Sequence, residues 1–122
     1  CLGDTADAFA PKVIRASAGA LFHVPVIVER DVAVGLQAVA ATGAVRYGTR
    51  MNDATACDEA DLTGPVALVL GSEAHGLSPA YNELIDEWLS VPMPGRTESL
   101  NVAMAGTIIT YEVARQRRSQ VD

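Results

Sequence analysis

The sequence predicts one α/β domain built on a mainly parallel sheet. Short aliphatic runs, typical of strands that are buried on both faces, alternate with segments that carry helix-capping residues. Hydrophobic residues make up 49% of the 122 residues but aromatic residues only 5%, so small aliphatic side chains must fill the core. A chain of this length is long enough to bury a hydrophobic core of its own.

Four strands are predicted from the aliphatic and β-branched runs. The run VALVL after Pro65 is the most regular of them, and the run VPVIV after His23 is expected to be fully buried. The polar segment 51–64 is expected to be a loop, with one possible helical turn around 57–62. The predicted strands are 24–28, 44–48, 66–70 and 91–93.

Two helices are predicted in the first half of the chain. Pro11 falls in the first turn of a short helix, where the fixed φ of proline and its missing N–H are tolerated. Asp31 is expected to cap a second helix through its carboxylate. That helix is expected to end at Gly43, since glycine adopts the left-handed backbone that terminates helices.

Two more helices are predicted in the second half. Ser78 and Pro79 supply a cap and a first-turn proline to one of them, and apolar residues at 84, 85, 88 and 89 recur at helical spacing. Ser99 is expected to cap the final helix, which runs to the basic segment 115–118. That basic segment is usually a solvated helix end, and a phosphate contact is the weaker alternative.

Charge and cysteine content restrict the class of protein. A formal net charge of −6 argues against a domain that coats nucleic acid by bulk charge, although a local patch can still bind RNA. The two cysteines, Cys1 and Cys57, form no disulfide framework, which indicates a reduced, cytoplasmic protein. No apolar run reaches the roughly 18 residues of a membrane-spanning helix, so no membrane partner is expected.

A glycine-rich turn, GSEAHG at 71–76, follows the most regular strand. Its pattern is G-x-E-x-x-G, so Glu73 replaces the glycine that lets a backbone approach a pyrophosphate in dinucleotide folds. A carboxylate there would repel phosphate, which argues against a nucleotide-binding oxidoreductase and favours a neutral or cationic ligand. A purely structural turn explains the two glycines equally well.

Asn101 is a candidate site residue beside the predicted end of a strand. An amide in the first turn of a helix can hold a catalytic group or a substrate hydroxyl, and a structural role is an equal alternative. His75 could act as a base, but loop histidines are more often plain surface residues. No histidine, cysteine or carboxylate cluster has metal-ligand spacing, so no metal is expected.

Three stretches, taken in order, carry a resemblance to a known family. They are PKVIRASAGALF at 11–22, LGSEAHGL at 70–77, and VPM at 91–93 together with ESLNVA at 98–103. They resemble the segment after the first motif, the second motif and the third motif of the SpoU (TrmH) class of the SPOUT superfamily. Order and spacing agree over nearly the whole chain, from about Leu2 to Arg118.

The resemblance implies a fold and an activity. The fold would be a parallel sheet flanked by helices, with a deep C-terminal trefoil knot, which is a rare exception to unthreaded chains. The activity would be transfer of a methyl group from S-adenosylmethionine to a ribose 2′-OH of ribosomal or transfer RNA. The protein would be a homodimer with its active site near the interface, and it would need no metal.

The resemblance also assigns roles to individual residues. Glu73, Ser99 and Asn101 would set the catalytic geometry, and Arg15 and Ser17 would face the RNA. Gly48 would let the backbone turn close to the ligand. The cofactor would contact Thr49, Leu70, Gly71, Glu73, Val91, Met93, Ser99 and Leu100.

One part of the family pattern is missing. The first motif, an Asn…Gly…Arg segment whose arginine is the proposed catalytic base, would precede Leu2. Residues 1–122 are therefore expected to be the C-terminal part of a SpoU-type domain, without any N-terminal RNA-binding domain and nearly inactive alone. The alternative is a non-catalytic RNA-binding or dimerisation module with the same fold, and the upstream sequence would discriminate between the two.

Overall fold

Four parallel strands form one sheet among the residues that the structure describes. The computed structural model describes residues 1–72, 74–95 and 100–121, and the chain divides into two units, Cys1–Ala38 and Val39–Asp122. All strand pairs are parallel and follow the order β2-β4-β1-β3, so the predicted α/β class is confirmed. The strands are β1 (Val45–Thr49), β2 (Thr55–Ala56), β3 (Val66–Val69) and β4 (Glu87–Ser90).

The two helices predicted in the first half of the chain are confirmed. Helix α1 (Pro11–Ala16) begins at its proline, and α2 (Val32–Ala41) follows Asp31. The Asp31 carboxylate accepts a hydrogen bond from the amide of Val34 at 3.1 Å, as a capping residue does. Gly43 has a φ of +82° just after α2, which is the left-handed conformation expected at a helix end.

Residues 24–28 do not form the buried strand that their β-branched side chains predicted. Ile27 and Val28 are 75% and 63% exposed. The backbone of this segment is instead hydrogen-bonded to the first residue of the chain. The amino group of Cys1 donates to the carbonyl of Ile27 at 2.8 Å, and the amide of Glu29 donates to the carbonyl of Cys1 at 2.9 Å. β-Branched residues favour extended backbone, and they do so whether or not the segment is buried.

The helix predicted to begin at Ser78 is shorter than expected. A 3₁₀ helix covers Pro79–Leu84, and the backbone then becomes β4. Leu89 is fully buried while Trp88 points to the opposite face, as alternation along a strand requires. The apolar spacing that predicted a helix through Leu89 is thus divided between two elements. Residues 91–93, predicted to be a strand, form irregular backbone directly after β4.

The segment 51–64 contains more structure than the predicted loop. The two-residue strand β2 pairs with β4, and one turn follows it, closed by the amide of Ala60 donating to the carbonyl of Ala56 at 3.1 Å. That turn lies where a helical turn was expected. Cys57 within the turn and Leu62 just after it are buried, so this segment contributes to the core.

Helix α3 (Val102–Ser119) covers one face of the sheet. Ile109 is fully buried and belongs to the same hydrophobic cluster as Tyr47, Leu62 and Leu89. Gln116 then fixes the helix to the segment after β2: its side chain accepts from the amide of Leu62 at 2.9 Å and donates to the carbonyl of Ala60 at 3.0 Å. Within the described ranges, no helix is both long and apolar enough to cross a membrane.

Candidate functional site

A cavity of about 670 Å³ opens where the parallel strands end. Thr49 ends β1, Ser90 ends β4, and Gly71 comes two residues after β3; all three line the cavity. In open α/β sheets, ligands bind beyond the carboxyl ends of the strands, because the loops there expose backbone groups. The position of this cavity therefore marks it as the candidate site.

The remaining walls come from the segment after β4 and from the start of α3. Val91 and Met93 contribute from the first, and Leu100, Asn101 and Ala105 from the second. Five of the eight residues predicted to contact a cofactor thus line the cavity: Thr49, Gly71, Val91, Met93 and Leu100.

The other three predicted cofactor contacts are not in the described wall. The side chain of Leu70 lies toward α3, where a Cβ atom on Gly106 would come within 2.8 Å of its Cδ1 atom. Leu70 therefore packs against that helix and is not among the described lining residues of the cavity, and its predicted contact with the cofactor stays a prediction. Glu73 and Ser99 lie outside the described residues, so their predicted contacts stay predictions.

The glycine-rich turn is closed by its own backbone. The amides of Ser72 and Gly76 each donate to the other's carbonyl, at 3.1 and 2.8 Å, and the hydroxyl of Ser72 accepts from the amide of His75 at 3.1 Å. A Cβ atom on Gly71 would overlap the backbone of Gly76 and Leu77. The structural interpretation of this glycine is therefore correct, and the turn it permits also forms one wall of the cavity.

Asn101, and not Ser99, is the N-terminal cap of α3. Its Oδ1 atom accepts hydrogen bonds from the amides of Ala103 at 2.9 Å and Met104 at 3.3 Å. The prediction that placed the cap at Ser99 is wrong by two residues, and the structural role considered for Asn101 is confirmed. Asn101 also lines the cavity, and its predicted catalytic role stays a prediction.

Arg50 is a site residue that the sequence reasoning missed. It is the only charged side chain among the described residues that line the cavity. Its guanidinium carbon lies 4.6 Å from the centre of the Trp88 ring, and its Nε atom donates to the carbonyl of Asp53 at 2.9 Å. Its position directly after Thr49 at the end of a central strand was the signal that could have identified it.

Gly48 is not among the described lining residues of the cavity, so its predicted role toward a ligand stays a prediction. It is buried inside β1, and a Cβ atom there would lie 2.6 Å from Cζ3 of Trp88 and 3.1 Å from Cγ2 of Ile85. The space that glycine leaves is therefore filled by the indole ring. Gly48 thus makes room for Trp88, which in turn contacts Arg50.

The two residues predicted to face RNA lie in the unit Cys1–Ala38. Arg15 is exposed on α1, and the hydroxyl of Ser17 donates to the carbonyl of Ile14 at 2.7 Å. The described lining residues of the cavity all belong to the other unit, and the RNA contacts stay predictions.

A parallel sheet with this cavity at its carboxyl edge defines an α/β ligand-binding domain, and the comparison with known proteins identifies its family. Residues 2–111 match the SpoU rRNA Methylase family, so the chain belongs to that family. This agrees with the resemblance that the three sequence stretches carried.

Individual relatives are similar over most of this chain. It is 43% identical over 105 residues to an uncharacterised tRNA/rRNA methyltransferase of Mycolicibacterium smegmatis, covering 86% of this chain and 33% of the relative. It is 38% identical to the 23S rRNA (uridine(2479)-2′-O)-methyltransferase of Streptomyces viridochromogenes, covering 96% of this chain and 42% of that enzyme.

A solved structure agrees with the same assignment. The crystal structure of the SpoU methyltransferase AviRb from Streptomyces viridochromogenes, in complex with the cofactor AdoMet, superposes with a TM-score of 0.89 at 36% identity. The match covers 98% of this chain and 49% of that chain. This chain therefore spans between a third and a half of the length of these relatives.

Proposed function

We propose that this chain is the S-adenosylmethionine-binding part of an RNA ribose 2′-O-methyltransferase. The observation that carries the proposal is the single cavity into which four separate segments, represented by Thr49, Gly71, Met93 and Leu100, converge. Three of these segments, those of Gly71, Met93 and Leu100, belong to the stretches that resemble the family's second and third motifs. The methyltransferase names of the relatives, and the AdoMet held by AviRb, support the same cofactor.

The residues present fit this cofactor. A cavity of about 670 Å³ is within the ordinary size of a cofactor site, roughly 300 to 1,000 Å³. Its described wall combines apolar side chains, such as Val91 and Leu100, with backbone groups of the glycine turn, which suit an adenine ring and the aliphatic part of a methionyl chain. When bound, S-adenosylmethionine supplies an electrophilic methyl group on a sulfonium, and it carries no phosphate that would require a cationic cradle.

The chain's own residues would hold and orient the reactants. Thr49 and Gly71 would hold the cofactor at the strand ends, and Val91 and Met93 would hold it from the segment after β4. Asn101 would act on the substrate through its amide nitrogen, while its Oδ1 atom caps α3. Fixing two reactants in line supplies much of the rate of such a transfer, so exact placement of these groups matters more than their acidity. Glu73 and Ser99 complete the proposed catalytic set.

Activity is proposed for a longer polypeptide, since this chain spans only 33% to 42% of its curated relatives. Residues 1–122 would form the C-terminal part of the methyltransferase domain, with its end threaded in a trefoil knot. An upstream Asn…Gly…Arg motif would supply the catalytic arginine. The substrate would be a ribosomal or transfer RNA in the cytoplasm, contacted by Arg15 and Ser17.

A homodimer is part of the same proposal. Met104, Ile108 and Tyr111 are 55%, 38% and 60% exposed, and they recur at the i, i+4 and i+7 positions of α3. This spacing places them along one side of the helix, which is the pattern of a face that packs against a partner. A second copy of the chain is the partner that the family resemblance favours.

The test is a labelled-methyl transfer assay on total RNA, followed by mapping of the modified nucleotide. The 122-residue chain is compared with a longer form that contains the upstream motif. We expect both to bind S-adenosylmethionine and only the longer form to transfer the methyl group. Equal transfer by the short chain would overturn the requirement for the upstream arginine. Cofactor binding without transfer to any RNA by the longer form would favour the non-catalytic module instead.

A further inference from the structure

Arg50 occupies a distinctive position in the cavity. Among the described residues of the wall, every other side chain is neutral, whereas Arg50 carries a full positive charge. The whole chain has a formal net charge of −6, so its overall charge does not attract anions to this surface. The placement indicates a specific anionic group on whatever occupies the cavity.

Two neighbours hold the Arg50 side chain in one orientation. Trp88 lies under the guanidinium at 4.6 Å, a cation–π distance. The carbonyl of Asp53 accepts from both Nε and Nη2, and Asp53 adopts a left-handed backbone, with φ +52°, that turns this carbonyl back toward Arg50. Gly48 leaves the space in which the indole ring lies. The guanidinium plane is thus fixed before any ligand arrives.

We propose that Arg50 binds the α-carboxylate of S-adenosylmethionine; this deepens the proposed function and rests on it. The carboxylate is the only anionic group of that cofactor. A carboxylate that enters a partly closed cavity loses hydration and requires a charged partner. A planar guanidinium offers paired N–H donors that match the two oxygens of a carboxylate, and a preoriented one loses little side-chain entropy on binding. Arg50 would therefore anchor the amino-acid end of the cofactor.

The test is a ligand-and-variant cycle measured by calorimetry on the full chain. Wild type and Arg50→Met are each titrated with S-adenosylmethionine and with decarboxylated S-adenosylmethionine, which lacks only the carboxylate. We expect Arg50→Met to weaken S-adenosylmethionine about tenfold or more, the range of a hydrogen bond between charged groups. The affinity for the decarboxylated ligand should change less than about twofold, because it lacks the group that Arg50 binds.

Arg118→Met is the matched control. Arg118 is an exposed arginine whose guanidinium lies 5.8 Å from the ring centre of Tyr111, and it is not a described lining residue of the cavity. Arg118→Met removes one positive charge from the same chain, and it should leave the affinities for S-adenosylmethionine and for decarboxylated S-adenosylmethionine unchanged. Arg50→Lys keeps the charge but not the planar fork, and should bind S-adenosylmethionine with intermediate affinity.

Several results would overturn the proposal. An equal loss for both ligands in Arg50→Met, with an unchanged thermal unfolding midpoint, would show that Arg50 shapes the cavity without contacting the carboxylate. Weaker RNA binding with unchanged cofactor affinity would assign Arg50 to a backbone phosphate instead. Failure of the wild-type chain to bind either ligand would overturn the proposed function itself, a result distinct from a defect confined to the variant.

Discussion

The Oδ1 atom of Asn101 accepts a hydrogen bond from the amide of Ala103 at 2.9 Å, and this bond caps α3 at the wall of the cavity. One side chain therefore stands at the start of an 18-residue helix and at the edge of the proposed site. Its two roles use different atoms, since capping needs an oxygen while the proposed role toward the substrate needs the amide nitrogen. Substitutions can separate them.

Asn101→Asp and Asn101→Ala distinguish capping from catalysis. Aspartate caps as well as asparagine does, so the aspartate variant should keep the wild-type free energy of unfolding, whereas alanine should lose about 1 kcal/mol. In the longer form, both variants should lose most methyl transfer, because neither has the amide nitrogen. Urea unfolding and the labelled-methyl assay measure the two effects. Full transfer by Asn101→Asp would restrict Asn101 to its structural role.

Ala105→Leu tests whether the cavity holds the cofactor. Ala105 lies on the α3 wall, and a larger aliphatic side chain there would occupy space inside the cavity. We expect the affinity for S-adenosylmethionine to fall at least tenfold in calorimetry, with the helix retained because leucine is a good helix former. Ala114→Leu, at an exposed position of the same helix, is the control. Unchanged affinity in Ala105→Leu would place the cofactor elsewhere.

Gly71 is a poorer position for that test, although it lines the same cavity. Any side chain on Gly71 would overlap the backbone of Gly76 and Leu77, whether or not a ligand is present. A valine there would disrupt the turn, and lost binding would not reveal whether the ligand contacts this residue.

Gly48→Ala should destabilise the sheet. The new methyl group would lie 2.6 Å from Cζ3 of Trp88, so the indole ring must move from its place across β1. Overpacking of this kind costs about 1–3 kcal/mol, measured as a lower midpoint of urea unfolding. Gly64→Ala is the matched control, because no atom lies within 4 Å of a Cβ atom there. An unchanged midpoint for Gly48→Ala would mean that Trp88 relocates without cost.

The sequence predicted the fold correctly where a single residue determines the local backbone. Pro11, Asp31 and Gly43 mark helix ends through their own backbone and side-chain chemistry, and the structure confirms each. The prediction from sequence was wrong where the same apolar pattern is compatible with both a helix and a strand. The apolar pair Trp88 and Leu89 continued a helical spacing, yet pairing with β1 decides that these residues alternate along a strand.

The candidate site was predictable only in part, for a related reason. Thr49, Gly71 and Leu100 came from motif resemblance, and they line one cavity. Arg50 was missed because its orientation depends on Trp88, which is distant in sequence, and on a carbonyl that a left-handed residue turns toward it. The position of Arg50 directly after Thr49 could have marked it as a candidate, but neither of these two contacts leaves a local sequence pattern.

Glu112 should make the stability of the chain sensitive to acid. Its carboxylate accepts from Arg115 at 2.7 and 2.8 Å and from Gln116 at 2.8 Å, and the charged bond to Arg115 lowers its pKa from 4.5 to about 2. A carboxyl group whose pKa is lowered by folding stabilises the folded state fully above its unfolded pKa. That stabilisation should therefore be lost as the pH falls from about 4.5 toward 2.

In Glu112→Gln, the loss of stability that comes from protonation of Glu112 should disappear. Urea unfolding of wild type and variant at pH 6, 4 and 3 should show the wild-type free energy of unfolding falling more steeply with acid, so that the two converge at the lowest pH. Asp86, whose pKa is held near 2 chiefly by its hydrogen bond to Arg46, titrates in both proteins and therefore cancels in the comparison. Glu83→Gln, at an exposed position, should retain the wild-type slope. Parallel curves for Glu112→Gln and wild type would show that the contacts of Glu112 with Arg115 and Gln116 add no stability through its charge.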